Sequence, residues 1–170
     1  MSVQSYLLGN GVFSIGSTAI ALTRGGGKLT IERTFKEITA DGDFGPVEDR
    51  LRLDREVVKL QCNMLEILAA NMPKMYPALE VDATTVAGTS TVTSTLEIVT
   101  GDYMAPVTWT GKLANGKTCK ITLTKAINLE NIEWSLVDKD EVVPQVTYTG
   151  VYAEASRTTP PWKIDFVNVV

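Results

Sequence analysis

Histidine is absent from the 170 residues. With it go the commonest general base and the commonest metal ligand at neutral pH, and with them the Ser-His-Asp and Cys-His nucleophile systems that depend on an imidazole. Cysteine is nearly absent. Cys62 and Cys119 are too few for a disulfide scaffold and lack metal-ligand spacing, a usage that fits a reducing compartment. No apolar run approaches the ~18 residues that a spanning helix needs, and the stretch from Met1 to Gly9 lacks the basic residues that open a secretory signal, so neither membrane insertion nor export is expected. Positive charge is in deficit too: 16 Lys and Arg face 20 Asp and Glu, a net charge of −4 that argues against a basic stripe gripping nucleic acid by counterion release. Repeats of about 20–50 residues and low-complexity tracts are also missing.

What remains is a chain of ordinary globular composition, 44% hydrophobic and 21% charged, long enough for a single domain over residues 1–170 with a substantial core. Thr and Val are frequent and fall in short alternating runs bounded by Gly, Asn, Asp or Pro, the pattern of half-buried strands. Val12 to Leu22 and Lys28 to Ile38 read as a pair of strands joined by a hairpin at Arg24-Gly25-Gly26-Gly27. In the second, Leu29 and Ile31 alternate with Lys28, Thr30 and Glu32, one face for a core and one for water. Arg50 to Cys62 reads as the returning strand. Its apolar residues change parity between Leu51/Leu53 and Val58/Leu60/Cys62, which implies a bulge or twist near Glu56.

Asn63 followed by Glu66 suggests a weak capping box for one short helix, in which Met64, Ile67, Leu68 and Met75 recur at helical spacing until Pro73 and Pro77 disturb or end it. The methionines read as core filler. Strands return in Thr91 to Val99, with Val92, Leu96 and Ile98 on one face, and in Tyr103 to Leu113, which Asn115-Gly116 joins to Thr118–Lys125 through a predicted type I′ hairpin. Ile132, Trp134 and Leu136 begin a further run, the turn at Asp138–Glu141 sends it back through Val146 and Tyr148, and Trp162 to Val170 closes the chain. The fold class predicted is mainly β, a β-sandwich with one flanking short α-helix.

Candidate chemistry is thin. Asp138-Lys139-Asp140-Glu141 lacks the Gly and distal Glu of an EF-hand and reads as a solvated turn. Gly25-Gly26-Gly27-Lys28 is followed by a strand and not by the helix that a phosphate cradle requires. Ser156, Arg157 and Thr158 have no base to activate them. No catalytic, cofactor-binding or metal-binding residue is assigned. Two segments suit contacts better than catalysis. The loop at about 39–49 (TADGDFGPVED) leaves Phe44 between glycines and a proline, so that Phe44, Pro46 and Val47, with Asp43, either fold back on their own core or bury against a neighbouring subunit. The C-terminal arm and strand at about 156–170 carries Arg157, a proline pair and Trp162, a set suited to lying across a surface, although Trp162 also suits a plain anchor for the last strand.

The order of these elements, together with DGDFGPVEDRLRL (Asp41 to Leu53) and the stretch from Thr124 to Phe166 that closes on Pro-Trp-Lys-Ile, resembles siphophage major tail proteins, the tail tube proteins, over nearly the whole chain. The resemblance implies a β-sandwich with a flanking helix, hexameric rings whose inner sheets join into a barrel, and rings stacked around a tape-measure protein between tail-tip and tail-terminator proteins. It implies a virion tail assembled in the host cytoplasm, with DNA only as a passing cargo. The loop with Asp43, Phe44, Pro46 and Val47 becomes an inter-ring contact, and the strands Lys28–Ile38 and Arg50–Lys59 a lumen wall bearing Glu32, Asp54 and Glu56. Inner tubes of contractile tails, tailocins and secretion devices resemble the same architecture. A monomeric β-sandwich module binding a carbohydrate or peptide is the alternative from another class.

Overall fold

The computed structural model describes residues 7–19, 23–136 and 138–167. In chain order the elements are β1 (Leu7–Ile15), β2 (Thr18–Ala19), β3 (Thr23–Glu37), β4 (Leu51–Met64), a 3-10 turn (Ala69–Asn71), α1 (Met72–Met75), β5 (Leu79–Asp82), β6 (Thr91–Ser94), a second 3-10 turn (Thr100–Asp102), β7 (Val107–Leu113), β8 (Thr118–Leu123), β9 (Ala126–Asn128), β10 (Gln145–Gly150) and β11 (Trp162–Val167). The protein is mainly β, with one short helix, and its strand pairings are antiparallel. One sheet has the order β11-β8-β7-β1-β2, a second β3-β4-β10-β9, and β5 pairs with β6 alone. Among the described residues no sheet closes on itself.

Both larger sheets feed one buried cluster. Phe13, Val107, Trp109 and Leu123 come from the first, and Val58, Leu60, Cys62, Val146 and Tyr148 from the second. Alternation in the sequence explains this: β8 sends Cys119, Ile121 and Leu123 inward, as read from its residues. Trp109 fixes how β1 and β7 meet. Gly11 and Gly111 lie opposite each other in the register, and the indole occupies the space that a Cβ at either would need. An aromatic ring over paired glycines restores the apolar surface that the glycines leave out. Met72, Met75 and Tyr76 close one end of the cluster as the core filler expected of the methionines.

The helix is a single turn and begins later than Asn63 suggests, because that asparagine is still in β4, paired with Gln145. Pro73 falls in the first turn, where its missing N–H costs nothing, so it starts the helix instead of ending it. Two side-chain bonds moor the turn: Asn128 Nδ2 donates to the Met75 carbonyl at 2.8 Å and the Tyr148 hydroxyl to that of Lys74 at 3.1 Å.

Several pairings differ from the expected ones. β1 pairs with β2 and β7, not with β3, and the glycine triplet lies within β3. Thr23 faces Met64 and Gly27 faces Cys62, so the triplet forms a bulge in which Gly25 and Gly26 take the left-handed φ values of +79° and +75°. The freedom of these glycines is used, but within a strand. The end of the expected run Val12–Leu22 falls on residues 20–22, outside the described residues, as do residues 1–6 of the N-terminal stretch and 168–170 of the last strand. The hairpin β7–β8 forms as expected with a different turn: Gly116, at φ +81°, donates to the Leu113 carbonyl and Leu113 N–H to that of Lys117, a three-residue loop in place of type I′. Of Thr91–Val99 only β6 is strand. Leu96 turns at φ +59° and, like Ile98, lies exposed. Ile132, Trp134 and Leu136 form no strand; β10 pairs instead with β4 and β9. The turn at Asp138–Glu141 is present, and Glu141 forms an ion pair with Arg24.

Gly27 tests the bulge. A Cβ there would stand 2.5 Å from the Gln61 backbone oxygen and 2.5 Å from Phe13 Cζ, and the backbone oxygen cannot rotate away. Gly27→Ala is expected to lower the free energy of urea unfolding by about 1–3 kcal/mol, the usual range for overpacking. Unchanged stability would contradict this approach of the two sheets.

Candidate assembly interface

The β3–β4 hairpin is longer than the sheet that supports it. β10 pairs with β4 only from Lys59 to Asn63, whereas β3 accompanies β4 as far as Leu51. Beyond Val58 the hairpin therefore continues as a two-stranded ribbon, with β3 at the sheet edge throughout. An isolated ribbon of this kind leaves backbone donors and acceptors unpaired on both sides.

A bulge decides what the ribbon presents. Thr34 faces Arg55 and Phe35 faces Leu53, so Asp54 is an extra residue on β4. This explains the parity change read from the sequence and puts its bulge two residues from Glu56. Without it Leu51 and Leu53 would turn to the opposite face. With it they stay on the face of Val58 and Leu60, beside Phe35, and the core-facing surface runs outward beyond its cover. Phe35 is 61% exposed and Leu53 51%, with Leu51 and Ile38 also in solvent.

The loop at 39–49 closes the ribbon. Asp43 Oδ2 accepts from Ala40 N–H and from Arg50 Nη1, each at 2.7 Å, and Arg50 N–H donates to the Val47 carbonyl at 3.2 Å. Gly42 and Asp49 have φ values of +95° and +66°, which turn the chain within this small frame. Phe44 is fully exposed and Pro46 exposed, while Val47 is half-buried. The fold-back alternative for Phe44 is thus not what the loop adopts. Asp43 differs from its neighbours: its carboxylate is engaged within the loop and shapes the frame that presents Phe44.

The three acids expected on one lumen face are divided. Glu32 faces Val57 across the ribbon and bonds to Lys59 at 3.1 Å, on the polar side of the sheet. Asp54 is the bulged residue. Glu56 faces Arg33 on the core side, its side chain only 8% exposed. Its Oε1 accepts from Trp162 Nε1 at 2.6 Å and its Oε2 from Arg33 Nε at 2.7 Å. The shared parity of the three numbers failed because the register pairs Glu32 with Val57 and Arg33 with Glu56, which puts equal parities of β3 and β4 on opposite faces, and because Asp54 is itself the bulged residue. Trp162 is accordingly a clamp joining β11 of one sheet to β4 of the other, while Arg157 stands exposed, 3.4 Å from Glu154.

The polar face of the β3-β4-β10-β9 sheet forms an open cleft of about 560 Å³, lined among others by Lys28, Glu32, Lys59, Gln61, Glu133 and Gln145. Its charges are of both signs. Burial pushes the Cys62 thiol up to about 12, far from a reactive thiolate. Among the described residues no cluster of three His, Cys, Asp or Glu could hold a metal ion. No family model matches the chain, and no curated protein sequence matches it. Phe35, Leu51 and Leu53 were not singled out as contact residues from the sequence, although the parity change that aligns them was visible there.

Glu56 yields a pH test. The Trp162 N–H holds its carboxyl below the ordinary value near 4.5, and the Arg33 bond and charge add to this against the opposing effect of burial. Stability from a carboxyl held low is fully present above the unfolded value and is lost as pH falls through the folded one. Glu56→Gln should therefore destabilise the protein by about 1–2 kcal/mol at pH 7, the difference between a charged and a neutral hydrogen bond. Chemical unfolding should show the gap closing below pH ~4. A gap independent of pH would mean that the carboxylate charge is not what Trp162 and Arg33 hold.

Proposed function

We propose that this chain is a structural subunit that polymerises into the wall of a hollow tube, as the siphophage tail tube proteins it resembles do, with DNA as the passing cargo. The observation that carries this reading is the β3–β4 ribbon, whose core-side face continues past its own second sheet with Phe35, Leu51 and Leu53 in solvent and ends in a pinned loop that raises Phe44. An apolar surface on an unpaired ribbon is a liability for a monomer and an interface for an assembly. In this reading the two larger sheets form a sandwich, the ribbons of neighbours join side by side into a barrel within a hexameric ring, and the loops connect rings around a tape-measure protein. Catalysis plays no part.

The lining this implies is of mixed charge. Glu32 pairs with Lys59, but Lys28 and Arg55 lie on the same face, as do Lys36 and Arg52 opposite each other past the bulge, so along the ribbon cations outnumber acids. A lining of this sign attracts a polyanion weakly at physiological salt instead of repelling it, the opposite of an acidic lumen. The inner tube of a contractile or secretion device would use the same features. The polar cleft of about 560 Å³ is what favours the alternative of a carbohydrate- or peptide-binding monomer.

Sedimentation velocity separates these readings. The wild-type protein is expected to form large species as its concentration rises. Deleting Asp41–Val47 leaves Thr39, Ala40, Glu48 and Asp49 to close a hairpin whose ends are already joined by the Ile38 N–H bond to the Arg50 carbonyl at 3.1 Å. The deleted protein should keep its circular dichroism and sediment without the largest species. Full-sized assemblies from the deletion variant would remove the loop from the mechanism.

A further inference from the structure

A notch opens where the ribbon leaves its sheet. β10 ends at Gly150 and its chain turns away, while β4 runs on, leaving a cleft of about 570 Å³. Its apolar walls are Leu53 and Val57 of β4, Leu129 just after β9, and Tyr152, whose hydroxyl donates to the Glu56 carbonyl at 3.3 Å. Leu129 is 64% exposed. Arg55 and Arg157 also line the cleft, the latter 3.4 Å from Glu154 in an exposed pair that solvent keeps weak. Of the acids there, Glu56 has its carboxylate taken up by Trp162 and Arg33, which leaves Asp54.

We propose that this notch is the seat for the Phe44 loop of a second copy of the chain. The inference rests on the polymerising reading and names the receiving surface. Three features select this occupant. Phe44, followed by Pro46, is an exposed apolar tip on a loop fixed by Asp43 and Arg50, so it arrives preorganised and loses little entropy on docking. The loop is acidic, with Asp41, Glu48 and Asp49 beyond the internal Asp43–Arg50 pair, and it meets the two arginines of the notch with opposite charge. A copy cannot fill its own notch in this geometry, because Leu53 and Val57 lie back along the strand that leads away from the loop, and the pinned loop would have to reverse along the ribbon. Tip and notch are different surfaces of one chain, so their contact is head-to-tail, and the rotation between copies decides whether it closes into a ring or continues as a stack.

Cysteine cross-linking tests the seat. Leu129→Cys and Phe44→Cys are prepared as separate variants, with Pro46→Cys in reserve should the loss of Phe44 prevent assembly; native Cys62 and Cys119 are buried and do not compete. Under mild oxidation of assembled mixtures the loop and notch variants should form a disulfide-linked heterodimer that neither gives alone. In parallel, Arg157→Glu should raise the concentration at which assemblies first appear on the order of tenfold, about 1.4 kcal/mol, and adding Glu48→Lys should restore it in part. If the wild-type protein forms no assemblies, the polymerising reading falls and the seat with it. If assemblies form without the cross-link, or Arg157→Glu assembles as the wild type does, the seat is wrong while the polymerising reading stands.

Discussion

Strand β4 has neighbours on both sides along its inner half and on one side along its outer half. Most of what is distinctive in this molecule follows from that inequality. The inner half, from Val58 to Met64, lies between β3 and β10 and supplies the centre of the core. The outer half shares the same backbone and the same apolar face but has no second sheet above it. A two-stranded ribbon in water is marginal by itself, and apolar residues along it contribute little until something covers them.

The bulge at Asp54 keeps the two halves consistent. It inserts one residue into β4, so that Leu51 and Leu53 remain in line with Val58 and Leu60 while the ribbon bends and twists. Glu56 stands where the covered part ends. Its bonds to Trp162 and Arg33 satisfy a nearly buried carboxylate with an indole from the opposite sheet and a guanidinium from the neighbouring strand, which fastens the two sheets at the root of the ribbon. The exposed apolar face is thus a continuation of the core, and the loop at its end is held by its own Asp43–Arg50 pair.

Local pattern made much of this legible. The alternation of Cys119, Ile121 and Leu123, the Asn-Gly turn before them, and the parity change along β4 each depend on neighbours in sequence, and each has its counterpart in the structure. Phe44 could be singled out because it has so few apolar neighbours. What failed depended on distant partners. The glycine triplet permits positive φ equally in a hairpin and in a bulge, and only the pairing of β1 with β7 distinguishes them. Ile132, Trp134 and Leu136 alternate as a strand would, but β9 already holds the position beside β10. Glu32 and Glu56 were grouped by parity, but the register that pairs Glu32 with Val57 sets equal parities of the two strands on opposite faces. The notch at Leu129 left no local trace, since its walls come from three separated parts of the chain.

The central claim is that the uncovered ribbon is completed by other copies of the same chain to make a hollow wall. Negative-stain electron microscopy of the purified wild-type protein, concentrated without partners, tests it most directly. The account predicts straight filaments of uniform width with a stain-filled central channel; a uniform field of small compact particles at every concentration would contradict it.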